Sequence, residues 1–468
     1  MHLTKTERIL RIFTEVRAGE GSTALLMLTN VFLILCAYYF IKPLREGWIA
    51  ISDIEGLSKM EVRAYSSFAQ SIFLLFIVGW YGRLSERWSR ITLITRATLF
   101  CISNMVIFWI LQPGLFIEGL PASGIIFYLW VGMFGVFIVA QFWTFSADIY
   151  TDESGKRLLP LIAIGGTSGA AAGSWMVDLF VETGIIHTEA LLLIATLPLF
   201  GSVLITRTVD ARLRNQGSLG KVKSSVSIPA LVTENKDIKP IIIGAKLIFY
   251  SRFMLAAALV TLLTNWVNTN GENLLFRVIQ DALAMQAIEL NITGSQQILG
   301  FIRDGTTAFY GNFFFWVNIT ALFLQSFMAS RLLKLGGFGV ILLTLPVIAL
   351  LSYTTMALLP ILLVVKIMKI AENATDYSIN NTARHVLWLP VDTKMRFLGK
   401  PAIDTLYVRF GDGLAAITVL IGVQVLSLST KQFFIFNVSL VVLWLIFGIM
   451  LVREYNKALA ANLTENKR

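Results

Sequence analysis

The sequence predicts an all-α membrane protein with twelve transmembrane helices in two pseudo-symmetric halves of six. Three observations predict this class. The 468 residues are 56% hydrophobic, and their mean hydropathy is +0.71. Twelve apolar runs are each long enough to cross roughly 30 Å of hydrocarbon. A polar segment at 207–240 separates the sixth run from the seventh and so divides the chain six and six.

The apolar runs and the loop charges together predict the topology. Lysine and arginine collect in the N-terminal segment, in every second loop and in the C-terminal tail. Such residues favour the cytoplasmic side, so we expect both termini in the cytoplasm, as in a protein of the bacterial inner membrane. The predicted domains are an N-terminal half at 1–206, a cytoplasmic linker at 207–240 and a C-terminal half at 241–468. The predicted spans are 23–43, 62–82, 91–111, 124–147, 158–180, 188–206, 241–268, 306–329, 338–357, 360–388, 401–428 and 432–452.

Composition argues against several functions. The net charge of +10 follows from the loop bias, so we expect no nucleic-acid partner. Cys36 and Cys101 lie in apolar runs and the chain has three histidines, so we expect neither a metal site nor a cofactor. No nucleophile and base stand out together, so the sequence does not predict an enzyme. We expect a monomer in contact with membrane lipids.

The tenth span carries the most polar face. Residues 366–384 read KIMKIAENATDYSINNTAR. At 100° per residue, one narrow arc holds Lys366, Lys369, Asn373, Asp376, Asn380 and Arg384, with Glu372 at its edge. Charge within a bilayer is costly and normally faces a partner or a wet cavity. The stripe therefore indicates a water-filled pathway or, alternatively, a structural charge network.

The first span ends in a second polar group. Tyr38, Lys42 and Arg45 share a face, and Glu46 follows them. If the helix ends at Pro43, the two basic side chains snorkel to the outer interface. If Pro43 instead kinks a continuing helix, they line a cavity.

The seventh and eleventh spans add further polar pairs. Asn268 and Glu272 share a face of the seventh helix, and the amphipathic pattern of 274–288 indicates that this helix continues outward. In the eleventh span, Arg409 can pair with Asp404 or Asp412. Such a pair would be a buried ion pair or a gate that opens when substrate displaces one partner.

Two further motifs concern packing and the cytoplasmic face. The loop from Gly82 through Glu86 and Arg87 to Arg90 resembles the loop signature of the major facilitator transporters, although a positive loop that happens to contain Gly is the simpler alternative. Asp148 begins a charged loop that could latch the inward face or merely be solvated. Small residues at Gly165, Gly169 and Gly173 predict close helix packing; the three are one helical turn apart.

Several motifs resemble the nucleotide carriers of plastids and intracellular bacteria, the ATP/ADP translocases, a distant branch of the major facilitator fold. The resembling segments are Lys42-Pro43-Leu44-Arg45-Glu46, Asn268 with Glu272, Tyr377-Ser378, Trp388-Leu389-Pro390-Val391-Asp392 and Gly399-Lys400-Pro401-Ala402-Ile403-Asp404. The resemblance implies a major facilitator-like fold and a transport function.

The chain also departs from that family pattern. Ala383-Arg384 stands where the family tends to have Lys-Glu, and Gly411-Asp412-Gly413 stands where it has Gly-Lys-Ser-Gly. Nucleotide exchange therefore does not follow from the resemblance alone.

The sequence thus predicts a secondary transporter that works by alternating access, with an anionic substrate such as a nucleotide or a phosphorylated metabolite. Transport would be by exchange or coupled to protons. Candidate substrate-binding residues are Tyr38, Lys42, Arg45, Glu46, Asn268, Glu272, Lys369, Asn373, Asp376 and Arg384. The candidate charge network comprises Asp148, Glu372, Asp404, Arg409 and Asp412. The alternatives are a transporter of an amphipathic or lipid-like substrate, and a receptor or scaffold that transports nothing.

Overall fold

The computed structural model describes residues 7–8, 11, 14–112, 122–215, 248–392 and 395–465. Most of the predicted linker, from residue 216 onward, lies outside the described residues. Gly82 and Glu86 of the loop motif lie outside the residues whose side chains are described.

The described chain is helical, as predicted. The principal helices are α1 (Gly21–Ala50), α2 (Lys59–Arg87), α3 (Arg90–Leu111), α4 (Ser123–Ile149), α5 (Asp152–Thr183), α6 (Leu191–Asn215), α7 (Arg252–Glu289), α8 (Ser295–Phe323), α9 (Ala329–Leu358), α10 (Leu362–Thr375), α11 (Asn381–Val386), α12 (Val408–Leu420) and α13 (Thr430–Glu465). Short π-helical turns link α8 to α9 and α10 to α11, and flank α12 at both ends.

Seven of the described helical stretches are long and apolar enough to cross a membrane. They include α1, α3, α4, α13 and the continuous run of α8 and α9. Other helices, such as α7 with Glu272, Arg277 and Asp281, carry more charge. The protein is therefore an integral membrane protein, whereas the count of twelve spans stays a prediction.

The chain forms two compact units. Unit 1 comprises Met1–Ser52, Phe73–Val232 and Ile292–Ile319, and unit 2 comprises Asp53–Ile72, Thr233–Asn291 and Thr320–Arg468. Unit 1 thus includes Ile292–Ile319 from the C-terminal part of the chain, and unit 2 includes Asp53–Ile72 from the N-terminal part. The two halves at 1–206 and 241–468 stay a prediction.

The small-residue face of α5 packs against the backbone of α1 within unit 1. A Cβ atom added to Gly169 would lie 2.2 Å from the Phe32 carbonyl oxygen, and one added to Gly173 would lie 2.5 Å from that of Cys36. Gly165 makes an equally close approach one turn earlier. The predicted packing role of these glycines is confirmed, because any side chain there would separate the two helices.

Helix α1 does not end at its proline. It continues through Pro43 to Ala50, and the Arg45 side chain after it is buried at 8% exposure. The alternative in which Lys42 and Arg45 snorkel from a helix end is therefore wrong. Close packing against neighbouring elements of unit 1 holds this last turn of the helix, as at Gly47, where an added Cβ would lie 2.2 Å from Thr307 Oγ1.

The polar stripe of the tenth span does not continue as one arc. Lys369 and Asn373 on α10 are buried, whereas Arg384 on α11 is exposed. The π-helical turn Asp376–Asn380 lies between them. A π turn contains an additional residue and so rotates the face that follows. The predicted extension of the seventh helix is confirmed, since α7 runs unbroken to Glu289.

Candidate functional site

A buried ammonium group forms the centre of a charge cluster in unit 2. Lys369 is completely buried, and its Nζ atom lies 2.9 Å from Glu372 Oε2 and 3.6 Å from Glu272 Oε1. It also donates a hydrogen bond of 3.3 Å to Asn268 Oδ1. Lys369 and Glu372 come from adjacent turns of α10, and Asn268 and Glu272 from adjacent turns of α7. The structure thus brings together Asn268 and Glu272 of the predicted seventh span and Lys369 and Glu372 of the predicted tenth span.

A glycine makes room for this cluster. A Cβ atom on Gly271 would lie 1.9 Å from the Tyr353 hydroxyl and 2.8 Å from Lys369 Nζ. No other residue type could occupy this position of α7 without displacing the ammonium group.

Two residues that the sequence did not indicate complete the cluster. The Tyr353 hydroxyl on α9 donates to Glu372 Oε1 at 3.1 Å. Arg63 on α2 approaches Glu272 Oε2 to 3.7 Å and donates to Asn273 Oδ1 at 2.7 Å. Asn373 Nδ2 donates to Glu272 Oε1 at 2.8 Å. The sequence signal that could have found Arg63 is its position inside the predicted second span at 62–82, where a charged residue is unusual.

The cluster is balanced in charge. Lys369 and Arg63 supply two positive charges, and Glu272 and Glu372 supply two negative charges. Burial of a charge is tolerated only when it is paired and hydrogen-bonded. The loss or gain of one charge would therefore alter the attraction of the cluster for an anion.

A second cluster, in unit 1, combines a cation with aromatic rings. Lys42 Nζ lies 3.9 Å from the ring centroid of Phe314, 4.9 Å from that of Tyr39 and 5.9 Å from that of Tyr38. These distances are within the range of cation–π attraction. Both α1 and the first part of α8 contribute to this group.

Arg45 belongs to the same end of α1. Its guanidinium carbon lies 4.2 Å from the ring centroid of Tyr128, and its Nε donates to Glu46 Oε1 at 3.0 Å. The Glu46 side chain is fully buried. The Arg45 guanidinium is therefore paired with the Glu46 carboxylate and packs against the Tyr128 ring.

The eleventh span contains a third polar group, in unit 2. Asp412 on α12 accepts hydrogen bonds from Ser71 on α2 at 2.6 Å and from Thr269 on α7 at 2.9 Å. Arg409 lies 3.4 Å from Asp412 and donates to Ser71 at 3.0 Å. Of the two partners that the sequence left open for Arg409, the structure pairs it with Asp412.

The other predicted residues lie apart from these contacts. Asp376 accepts a hydrogen bond from Asn380 at 2.6 Å, and Asp404 is exposed and interacts electrostatically with the exposed Arg384. In unit 1, Asp148 pairs with Arg90 at 2.9 Å, and Arg87 is exposed. The Asp148–Arg90 pair joins α4 to the start of α3.

Unit 1 also holds an ion-pair network that the sequence did not indicate. Arg303 on α8, which is 9% exposed, pairs with Glu189 at 2.6 Å and with Asp304 at 2.9 Å. Nearby on the same helix, Asn312 donates to Asp178 of α5 at 2.7 Å. Within the described part of the chain, no group of three or more His, Cys, Asp or Glu residues is placed to hold a metal ion.

Solved structures of membrane transporters share this fold. The POT family transporter PepTSo aligns over 93% of this chain and 98% of its own with a TM-score of 0.60 and 12% identity. The nucleoside transporter NupG aligns over 94% of this chain and 98% of its own with a TM-score of 0.53 and 14% identity. The chain therefore shares its overall fold with these two solved transporters.

Sequence comparison finds similarity between part of the chain and one family of carriers. Residues 331–457 match the profile of the TLC ATP/ADP transporter family. The ADP,ATP carrier protein 1 of Chlamydia trachomatis serovar D is 23% identical over 33% of this chain and 34% of its own length. Its namesake from Chlamydia pneumoniae is 25% identical over 28% of this chain and 31% of its own length.

These matches confirm the resemblance to the nucleotide carriers that the motifs predicted. The matched region spans about a third of the length of the curated relatives. Those relatives are carriers and not enzymes, as expected from the sequence. Lys369 and Glu372 lie within the segment that matches the family profile.

Proposed function

We propose that the protein is a secondary transporter that moves an anionic substrate, a nucleotide or another phosphorylated metabolite, by alternating access. We propose further that it acts as a monomer in the bacterial inner membrane with both termini in the cytoplasm. The similarity to carriers and the shared fold support the transporter class. The substrate class rests on the arrangement of the charged residues.

The observation that carries this proposal is the buried ammonium of Lys369. It is shared between two carboxylates, at 2.9 Å and 3.6 Å, in the region that matches the nucleotide carriers. A phosphate oxygen is chemically equivalent to a carboxylate oxygen as a partner for lysine. A substrate phosphate would therefore replace one carboxylate without leaving the ammonium unpaired.

Neighbouring arginine and asparagine side chains would make the other contacts to the substrate. Arg63 lies 3.7 Å from Glu272. If Glu272 moved, the planar guanidinium group of Arg63 could donate hydrogen bonds to a second phosphate oxygen of the substrate. Asn268 and Asn373 already hydrogen-bond to the charged groups and would orient the substrate. Asp376 and Arg384 would act at the margin of this site.

In unit 1, the cluster around Lys42 offers a different chemistry. The rings of Tyr38, Tyr39 and Phe314 lie around the Lys42 ammonium, so a planar group such as a nucleobase would stack on them once that ammonium moves to the substrate. Lys42 and Arg45 would attract the negative charge of the substrate, and Glu46 would balance Arg45 when the substrate is absent.

The first test is thermal stabilisation of the purified protein by a panel of ATP, ADP, sugar phosphates, dicarboxylates, amino acids and lysolipids. A ligand that binds only the folded state raises the melting temperature; at 100 times Kd the gain is about 2.7 kcal/mol. We expect a rise with ATP or ADP. A rise with lysolipid alone would contradict the anionic-metabolite proposal.

Variants locate the binding site. Lys369→Gln with Glu372→Gln keeps the cluster neutral and removes the ammonium, so the nucleotide-dependent rise should disappear. Lys431→Gln, at the exposed start of α13 in the same unit, is the matched control and should keep the rise. Exchange of labelled ADP in liposomes then distinguishes a transporter from a receptor that binds nucleotide and moves nothing.

A further inference from the structure

A glutamine in the interior of unit 1 has an unpaired amide. Gln141 on α4 is 2% exposed, and the α4 residues around it, Ile138, Phe142 and Phe145, belong to the hydrophobic core. Among the residues that the structure describes, neither its Nε2 atom nor its Oε1 atom has a hydrogen-bond partner. Buried polar groups are normally paired, because burial without a partner is unfavourable. The Gln141 amide therefore destabilises the protein in this state, and its presence requires an explanation.

A second buried amide in the same unit has the normal arrangement. Asn30 on α1 donates from Nδ2 to Thr206 Oγ1 at 2.8 Å, and its Oδ1 accepts from Ser202 Oγ at 2.6 Å. Both hydroxyl groups lie on α6, so Asn30 links two helices. Within the described part of the chain, the Gln141 amide makes no such link. A structural role of this kind therefore does not explain Gln141.

Gln141 lies on the face of α4 that contacts the Tyr38 ring. Phe134 is two turns earlier on the same face, about 10 Å away along the helix, and its ring stacks on that of Tyr38 with centroids 6.1 Å apart. A Cβ atom on Gly135 would lie 2.7 Å from the Tyr38 ring, so this ring rests directly against α4. Side chains in a helix lean toward its N-terminus, which brings the Gln141 amide toward the two rings.

The amide and the rings together match one class of ligand. Aromatic rings stack on a planar group, and a primary amide presents a hydrogen-bond donor and an acceptor side by side. Adenine offers the complementary pair, because its amino group donates and the adjacent ring nitrogen accepts. A phosphate or a carboxylate would use only the donor and would leave the amide oxygen facing a negative charge. An acyl chain would pair with neither group.

We propose that Gln141 determines the choice of nucleobase, through an amide that pairs with the edge of an adenine stacked on Tyr38. This inference rests on the proposed function, which supplies the nucleotide and the conformational change that opens this face of α4. It adds recognition of the uncharged part of the substrate, whereas the charged residues described above would contact the phosphates. The unpaired amide gains its two hydrogen-bond partners in the complex.

The first test is the melting temperature of the purified protein without ligand. Gln141→Met keeps the unbranched shape of the side chain and removes both unpaired atoms, so it should raise the melting temperature. Asn30→Leu is the matched control. It removes an amide that is paired through both atoms, so it should lower the melting temperature. A lower melting temperature in Gln141→Met would overturn the proposal, because it would show that the amide already has partners in the ligand-free protein.

The second test compares two ligands by isothermal titration calorimetry. One is ADP, and the other is the 5′-diphosphate of unsubstituted purine riboside, which has the shape of ADP but lacks the amino group. Loss of the amino group should weaken binding to the wild-type protein about tenfold, as for loss of a bidentate contact to a base. Gln141→Met should bind the two ligands equally within about twofold, at the weaker wild-type level. Pyrophosphate, measured with the wild-type protein, reports the phosphate contacts alone.

The outcomes of the second test separate this inference from the proposed function. If the wild-type protein binds ADP no more tightly than pyrophosphate, or binds the two nucleotides equally, the nucleobase contact is overturned and transport of a phosphorylated metabolite stands. If Gln141→Met still prefers ADP to its analogue, another residue contacts the amino group and the assignment to Gln141 is overturned. If none of the three compounds binds, the proposed function itself is contradicted, and this inference fails with it.

Discussion

Removal of the Lys369 ammonium tests the buried cluster most directly. We predict that Lys369→Met destabilises the protein by about 3–5 kcal/mol, the typical cost of leaving a buried charge without its partner. The structure supports the upper part of this range. The lysine side chain is 0% exposed and that of Glu372 is 4% exposed, so water cannot replace the lost contact.

Most of the lost free energy of unfolding should come from Glu372, the carboxylate closest to the ammonium. After the substitution, Glu372 retains only the Tyr353 hydroxyl at 3.1 Å among the contacts described above. Glu272 retains Asn373 at 2.8 Å and Arg63 at 3.7 Å. Neutralisation of Glu372 in addition, as Lys369→Met with Glu372→Gln, should therefore recover at least half of the lost free energy.

The assay is unfolding of the purified protein in mixed micelles with increasing SDS, which yields the free energy of unfolding for the wild type and each variant. Lys431→Met is the control, because Lys431 is exposed at the start of α13 in the same unit; its effect should stay within about 1 kcal/mol, as for exposed charges. The reasoning is refuted if Lys369→Met is as mild as the control, or if the double variant is no more stable than the single one.

Three further predictions concern the Tyr353 hydroxyl of the buried cluster, the glycine packing face of α5 and the pH dependence caused by Glu20. Tyr353→Phe should cost about 1–2 kcal/mol in the same SDS titration, because it removes a hydroxyl that donates to buried Glu372; no loss would mean that the hydroxyl is dispensable. Gly169→Ala should destabilise the protein by about 1–3 kcal/mol by overpacking, since its Cβ would lie 2.2 Å from the Phe32 carbonyl oxygen, whereas the control Gly155→Ala meets a flexible Leu159 atom at 3.6 Å and should be neutral. Burial raises the pKa of Glu20, but hydrogen bonds from Arg157 and from the Arg17 backbone, with the charges of both arginines, outweigh it and hold the pKa below its ordinary value. That stabilisation is present above the unfolded-state pKa and is lost as pH falls through the lower folded-state pKa, so the thermal stability of Glu20→Gln should respond less to acid than that of the wild type.

The sequence by itself determined features that depend on local spacing. The length of the apolar runs predicted a helical membrane protein, because a span requires about twenty apolar residues. The three glycines of α5 predicted a packing face, because residues four apart lie on the same side of a helix. The same rule placed Lys369 with Asn373 and with Glu372 at the edge of their arc, and Asn268 with Glu272, so the sequence predicted five members of the buried cluster.

Only the tertiary structure decided which charges meet. Arg63 and Tyr353 join the cluster from α2 and α9, and periodicity within one helix carries no information on which other helix lies opposite. The pairing of Asp412 with Ser71 likewise joins residues 341 positions apart. The exposure of Arg384 depended on the π turn at Asp376–Asn380, which rotates the helix face on which every later residue lies. Pro43 could have ended a helix on local grounds, yet α1 continues because packing in unit 1 stabilises its last turn more than the missing backbone hydrogen bond destabilises it.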